Sequence, residues 1–380
     1  MNFKNLLLLF MATTFFLSSC IKDEPKNLEA DIVNISPKNA DFFVAPSITD
    51  NRVVVYFKSG NIDIKKVALN LQLTPGAVAV PASGQELDYT DGIEYTVTSE
   101  NGEFSKKYMV NVVVVGNEFV PTFFDFESVE IDEENKFNVF YNTISGQRFY
   151  NLASGNGGFA VSLMFDPSKE MKPEAYPTSA TTESHSGQYA ALLETKLTGT
   201  FGAMFKKPIA AGNLFIGTFD TQNAVVDALG ATHFGFPFNK VPVAIEGYYK
   251  YKAGENKTDQ NLKPLASKDS CDIYAVLYNR KELLESSKGK VKVGYLTGKN
   301  VLTDPSVVAI ARLADGGSTA GNDFKKFTLP FVFKKDVDYA AIEKLDYNIA
   351  IVFSSSKDGD KFHGAVGSKL IVDDVKIVTK

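Results

Sequence analysis

From Leu6 to Leu17 the chain is apolar except for two Thr residues, and the run ends in Leu17-Ser18-Ser19-Cys20. A dozen residues is too short for a bilayer-spanning helix, which takes about 20. With Lys4 ahead of it and small residues before the Cys, the run predicts a signal peptide over residues 1–19, cut before Cys20. The Cys20 thiol is then the nucleophile that takes lipid. Beyond it the pattern changes. Ile21 to Ala30 is polar and charged with one Pro, which predicts a spacer over 20–30. Residues 31–116 then carry short β-type runs: Arg52 to Lys58, Ile64 to Leu73, Tyr95 to Ser99 and Lys107 to Val115. Between the last two sits Asn101-Gly102, a step that tolerates positive φ and so predicts a hairpin. Strand spacing and size fit an immunoglobulin-like sandwich.

Gly116 to Pro121 reads as a hinge, and residues 122–380 as one long β-rich region. Strand-like runs lie at Phe123–Glu127, Phe159–Phe165, Gly187–Glu194, Val243–Lys252, Cys271–Asn279, Phe327–Phe333, Asn348–Phe353 and Lys369–Val378. Helical signals are confined to Ala224–Leu229, Lys281–Ser287 and Tyr339–Leu345. No strand–helix alternation marks a parallel sheet. The fold class expected is therefore all-β: an N-terminal immunoglobulin-like sandwich followed by a larger jelly roll with long loops.

Composition narrows the function classes. Lys and Arg number 40 against 45 Asp and Glu. Removal of residues 1–19 takes away only Lys4 and leaves a mature chain of 361 residues at −6. Without a basic block, nucleic acid is not an expected partner. Cys20 is committed to lipid, so Cys271 has no disulfide mate, and its strand-like surroundings predict a buried, inert thiol.

No catalytic template is matched: there is no G-x-S-x-G elbow, Walker loop, H-E-x-x-H or paired-Cys site. His185, His233 and His363 share no spacing and read as loop or edge residues. Enzyme activity is left open, with the balance against it; a glycoside hydrolase is the class that would fit, through two acids that the sequence does not single out. Aromatic side chains are the stronger signal, carried by Tyr and Phe because Trp is absent. In Gly247-Tyr248-Tyr249-Lys250-Tyr251, residues Tyr249 and Tyr251 share one strand face and Tyr248 the other. One face is core; the other offers flat rings to sugars. Tyr249 and Tyr251, Phe236 and Phe238 in the Phe234–Phe238 loop, and Tyr150 before the loop Gly155–Gly158 are the candidate ligand-binding residues. A third signal pairs Glu127 near the start of the large region with Asp373 and Asp374 near its end. First and last strands of a jelly roll are often neighbours, so these carboxylates are candidates for a structural calcium.

Two resemblances add to this reading. Ile21-Lys22-Asp23-Glu24 resembles the Lys-plus-acids tag that follows the lipid Cys in surface-exported lipoproteins of Bacteroidota. Ala211 to Phe219, Gly235-Phe236-Pro237-Phe238, Gly247 to Tyr251, Phe353-Ser354-Ser355-Ser356, Gly359-Asp360, Gly364 to Ser368 and Asp373-Asp374-Val375 occur in that order. Together they resemble the putative carbohydrate-metabolism domain of Bacteroidota surface lipoproteins, over residues 122–380. That resemblance implies a jelly roll like those of carbohydrate-binding modules behind an immunoglobulin-like spacer. It implies no catalytic residues. The expectation is an outer-membrane lipoprotein facing the cell exterior, which binds or handles oligo- or polysaccharide in a polysaccharide-utilisation system beside other surface glycan-utilisation proteins. A glycoside hydrolase, or a structural or adhesive protein without a sugar site, remain the alternatives.

Overall fold

The computed structural model describes residues 25–38, 42–49, 51–58, 60, 62–166, 168–287 and 294–380. The signal peptide, Cys20 and the Ile21–Glu24 tag lie outside the described residues.

The smaller unit is a two-sheet sandwich. Its main strands are β1 (Ile32–Pro37), β2 (Arg52–Lys58), β3 (Val67–Leu73), β4 (Ile93–Thr98) and β5 (Ser105–Val115). One sheet runs β1, β3, Glu86–Leu87; the other runs Ser47–Ile48, β2, β5, β4, Val78–Val80. β2 and β5 are parallel and the remaining pairs antiparallel. The Asn101-Gly102 step does lie between paired strands, but Thr98 pairs with Ser105, so the connection is longer than a two-residue turn.

β2 explains how the two units meet. Side chains alternate across a strand. Val53, Val55 and Phe57 enter the small sandwich core, while Val54 and Tyr56 enter the core of the large unit. Tyr56 packs edge-on to Phe236 at 5.5 Å between centroids and lies 5.9 Å from Phe149. Polar contacts frame this apolar junction: Arg52 Nη2 reaches Glu130 at 2.5 Å, and Asn51 Nδ2 donates to Asp132 at 2.8 Å. In the segment 116–121, read as a hinge, Gly116 and Asn117 are exposed while Glu118 and Pro121 are half-buried. Phe119 and Val120 are each 1% exposed and belong to the shared core, because a linker carrying two large apolar residues is drawn out of water.

The larger unit is also a sandwich. Its principal strands are β6 (Thr178–Thr181), β7 (Ala190–Glu194), β8 (Asn213–Phe219), β9 (Thr232–Phe234), β10 (Pro242–Lys252), β11 (Asp272–Asn279), β12 (Val307–Arg312), β13 (Lys325–Pro330), β14 (Tyr347–Ser354) and β15 (Lys369–Thr379). One sheet runs β6-β7-β15-β10-β13, with Phe123–Phe124 added on β15. The second runs Leu296–Thr297, β9, β8, β14, β11, β12, Val332–Phe333. All pairings are antiparallel, so the chain is all-β as expected. The first and last strands of this unit are neighbours, as expected.

The second sheet is buried on both faces. Along β11, Ile273, Ala275 and Leu277 face the core between the sheets, while Tyr274, Val276 and Tyr278 face the other way into a separate apolar cluster. That outer cluster is roofed by α1 (Asn156–Met164), α2 (Gly199–Met204), α3 (Arg280–Ser286) and neighbouring loops. The expected strand at Phe159–Phe165 is instead α1. Asn156, Phe159, Ala160 and Leu163 are buried at helical spacing, and this stripe outweighs the β preference of Phe and Val. The expected helix at Ala224–Leu229 is a run of turns.

Candidate functional site

Roof and sheet do not close completely. Between them lies a cleft of about 430 Å³, within the range of small-molecule sites. Its floor comes from outward-facing positions of adjacent strands: Phe215 on β8, Tyr274 on β11 and Val352 on β14. One wall is α1 and α2 with Phe159, Phe201 and Phe205; Phe219 at the end of β8 and Phe362 on a loop also line the cleft. Phe165 stacks on Phe201 with centroids 4.5 Å apart, and Phe201 lies 5.1 Å from Phe205. Phe165 is 63% exposed and Phe205 46%, so the aromatic wall continues onto the surface.

The polar end of the cleft is built on β11 and β12. Arg312 Nε and Nη2 donate to the two oxygens of Asp272, at 3.0 and 2.5 Å. Burial pushes the Asp272 carboxyl upward, and the bidentate guanidinium partly opposes this. Arg312 also lies 5.6 Å over the Tyr274 ring, whose hydroxyl burial drives up. Lys207 reaches in from the segment after α2. Its Nζ donates to the Val225 carbonyl at 2.6 Å, and burial lowers its pKa.

Lys357, Asp360 and Phe362 sit on the loop after β14, which is pinned from below. Asp269 is 3% exposed, and its Oδ2 accepts from Ser356 Oγ, Ser368 Oγ and Ala365 N at 2.6, 2.8 and 2.7 Å. Thr195 Oγ1 bonds the hydroxyls of Ser355 and Ser356. Lys257, 7% exposed on its side chain, donates to Asp358 at 2.7 Å, and this bond holds the Asp358 carboxyl down at about 2. Gly364 has no alternative here: a Cβ would lie 2.5 Å from Ser356 Oγ. The Phe353–Ser368 motif is thus the support of one cleft wall.

Most of the expected ligand-binding residues lie elsewhere. Tyr249, Tyr251, Phe236 and Phe238 are 1%, 2%, 3% and 1% exposed and fill the core between the sheets, so they offer no ring to a ligand. Tyr251 Oη donates to the Ser355 carbonyl, which is how a phenol is satisfied in a core. The outward face of β10 carries Tyr248 instead, and His185 covers it with ring centroids 3.5 Å apart. Tyr150 lies at the junction of the two units under the Arg52 guanidinium, 4.2 Å from its centroid. Of the Phe234–Phe238 loop only Phe234 lines the cleft, while Gly155 and Gly158 do line it.

Glu127, Asp373 and Asp374, the candidates for a structural calcium, all meet the segment 185–189. Glu127 Oε1 accepts from the N–H groups of Gln188 and Tyr189; Asp373 Oδ2 accepts from those of His185 and Ser186. Asp374 Oδ2 lies 2.7 Å from His185 Nδ1, and its Oδ1 accepts from Ser186 Oγ. Among the described residues no group of three or more His, Cys, Asp or Glu side chains has metal-site geometry. Backbone N–H groups thus engage one oxygen of Glu127 and Oδ2 of Asp373, and side chains engage Asp374. Cys271 is buried, as expected, and burial raises its thiol pKa. His233, in β9, stacks on Tyr295 at 3.8 Å, and burial lowers its pKa.

Comparison with known proteins agrees with this architecture. A family model described as a putative carbohydrate metabolism domain matches residues 125–378, and one described as the N-terminal domain of SGBP, the surface glycan-binding proteins, matches residues 45–112. A solved structure of a putative glycoside hydrolase from Bacteroides thetaiotaomicron is 36% identical with a TM-score of 0.82, over 94% of this chain and 99% of that one. Another, from Bacteroides vulgatus, is 36% identical with a TM-score of 0.60, over 68% of this chain and 98% of that one. No curated protein matches. With 254 of its 380 residues matched by that model, the chain belongs to the putative carbohydrate metabolism domain family of glycan-related proteins.

Proposed function

We propose that this protein is a cell-surface lipoprotein that binds oligo- or polysaccharide in the cleft between the roof and the second sheet, and that it serves a glycan-utilisation system without a chemical step of its own. The observation that carries the reading is the make-up of the cleft. Sugar rings present apolar faces edged by hydroxyls, and the cleft joins aromatic walls to a hydrogen-bonding end at Asp272, Arg312 and Tyr274.

Hydrolysis is the competing reading, and two carboxylates do line the cleft, Asp272 and Asp360. Asp272 has both oxygens engaged by Arg312 and is not free to donate a proton or to attack a sugar. That favours binding. A glycan array followed by titration calorimetry tests it. Phe205→Ala and Phe362→Ala should each weaken binding at least several-fold, with no reducing ends released on prolonged incubation. Binding that both substitutions leave intact moves the site elsewhere; steady release of reducing ends makes the protein an enzyme.

The anchor belongs to the same proposal. Cys20→Ala should leave the protein unlipidated and free of the membrane fraction; normal membrane retention would refute the anchor.

A further inference from the structure

We infer that the glycan taken by this cleft is anionic, a chain whose sugars carry carboxylate or sulfate groups, recognised by Lys207 and Lys357. The inference rests on the reading that the cleft binds glycan and adds the chemical class.

The chain as a whole is acidic, at −5, yet the cleft is lined by four cationic side chains against two anionic ones. Pairing accounts for half of the cations. Arg312 is neutralised by Asp272, and Lys299 by Asp227. Asp360 acts on Arg312, while Asp227 and Asp272 act on Lys207 and Lys357 only at longer range than an ion pair. Lys207 and Lys357 are left, and among the described residues neither forms an ion pair with a carboxylate.

Lys207 is the more telling. Its ammonium is half-buried and its donors go to the carbonyls of Val225 and Ala224, at 2.6 and 3.5 Å, with the Phe362 ring 5.9 Å away. A desolvated cation of this kind is costly unless an opposite charge arrives. Burial lowers its pKa, the mark of a charge that the fold compensates only in part. Lys357 stands exposed on the loop fixed by Asp269 and Asp358, and among the described residues its Nζ makes no hydrogen bond or ion pair. A neutral sugar could offer hydroxyl acceptors to both lysines but no opposite charge. A carboxylate or sulfate would form charge-assisted hydrogen bonds with both.

Titration calorimetry on the full chain tests this with three matched probe sets: a uronic-acid oligosaccharide and its carboxyl-reduced form, a sulfated oligosaccharide and its desulfated form, and neutral oligosaccharides. The expected result is binding to one anionic set and at least tenfold weaker binding to its neutralised form. Lys207→Gln and Lys357→Gln should each weaken it about tenfold, the scale of one charge-assisted hydrogen bond. Lys357 is exposed, so Lys357→Gln keeps the test valid even if Lys207→Gln melts early. Which anionic set binds separates carboxylate from sulfate. Tight binding of a neutral glycan, indifferent to both lysine substitutions and weakened by Phe362→Ala, overturns the inference and leaves the glycan-binding reading standing. An anionic glycan that binds both lysine variants as well as wild type also overturns it. No binding in any set overturns both.

Discussion

Tyr56→Ala should reveal that the two sandwiches stand or fall together. Tyr56 is fully buried, on the face of β2 turned towards the large unit, against Phe149 and Phe236. Its truncation leaves a ring-sized cavity at the junction while Val53, Val55 and Phe57 stay in place on the opposite face. Large-to-small aromatic changes in cores cost about 3–5 kcal/mol. The hydroxyl contributes little of this, because its bond to the Tyr150 carbonyl is long at 3.4 Å; Tyr56→Phe should cost under about 1 kcal/mol. The assay is denaturant unfolding followed by two probes, far-UV circular dichroism and tyrosine fluorescence. Wild type should give one coincident transition. Tyr56→Ala should shift it by the stated amount or split it in two. A loss below about 1 kcal/mol in Tyr56→Ala, or a fragment 122–380 as stable and soluble as the whole, would show that the junction is a casual contact and refute the shared core.

Three further outcomes are expected. Asp358 has its folded pKa held down at about 2 against an ordinary 3.8, so its contribution is complete above pH 3.8 and is lost as pH falls from there through about 2. With partial exposure this amounts to about 1–2 kcal/mol, and Lys257→Met should remove most of that acid-range dependence in pH-resolved melts; an unchanged profile would exclude the pair as its source. Tyr249→Ala and Tyr251→Ala should each destabilise by several kcal/mol while glycan affinity, measured well below the melt, stays near wild type; a stable variant that has lost binding would return these rings to the site. EDTA should leave the melting temperature unchanged, since backbone N–H groups hold Glu127 and Asp373; a fall of several degrees would bring calcium back.

Strand positions were the most legible part of the chain. Arg52–Lys58 matches its strand to the residue, and Val243–Lys252 and Asn348–Phe353 to within one residue at each end. These segments are dense in Val, Ile and aromatic residues, and burial on both faces reinforces the signal. Tyr249 and Tyr251, chosen as ligands, lie on the core face of β10. In Gly247–Tyr251 alternation separates Tyr248 from its neighbours correctly, but nothing local says which side meets the opposite sheet. The cleft itself was illegible because its parts are scattered from Phe159 to Phe362 and meet only in the fold. One clue was present: Phe201 and Phe205 stand four apart, the spacing of one helical face, beside the exposed Met204. Glu127 and Asp373 were correctly paired through strand adjacency, yet the loop 185–189 between them, which takes up their oxygens, could not be foreseen from spacing.

The shared core at residues 116–121 also sets how the cleft meets its ligand in space. With Phe119 and Val120 buried in the shared core, the small sandwich is packed against the large one. If Cys20 carries the lipid and the cleft binds glycan as proposed, residues 20–26 could extend at most about 23–25 Å, because Asn27 to Ala30 already bond or pack on the small sandwich. Within that short radius every copy sweeps the same thin shell above the membrane. A long polysaccharide touching one cleft then meets neighbouring copies as an intramolecular event, and retention of the polymer grows with surface density rather than with the affinity of any single cleft.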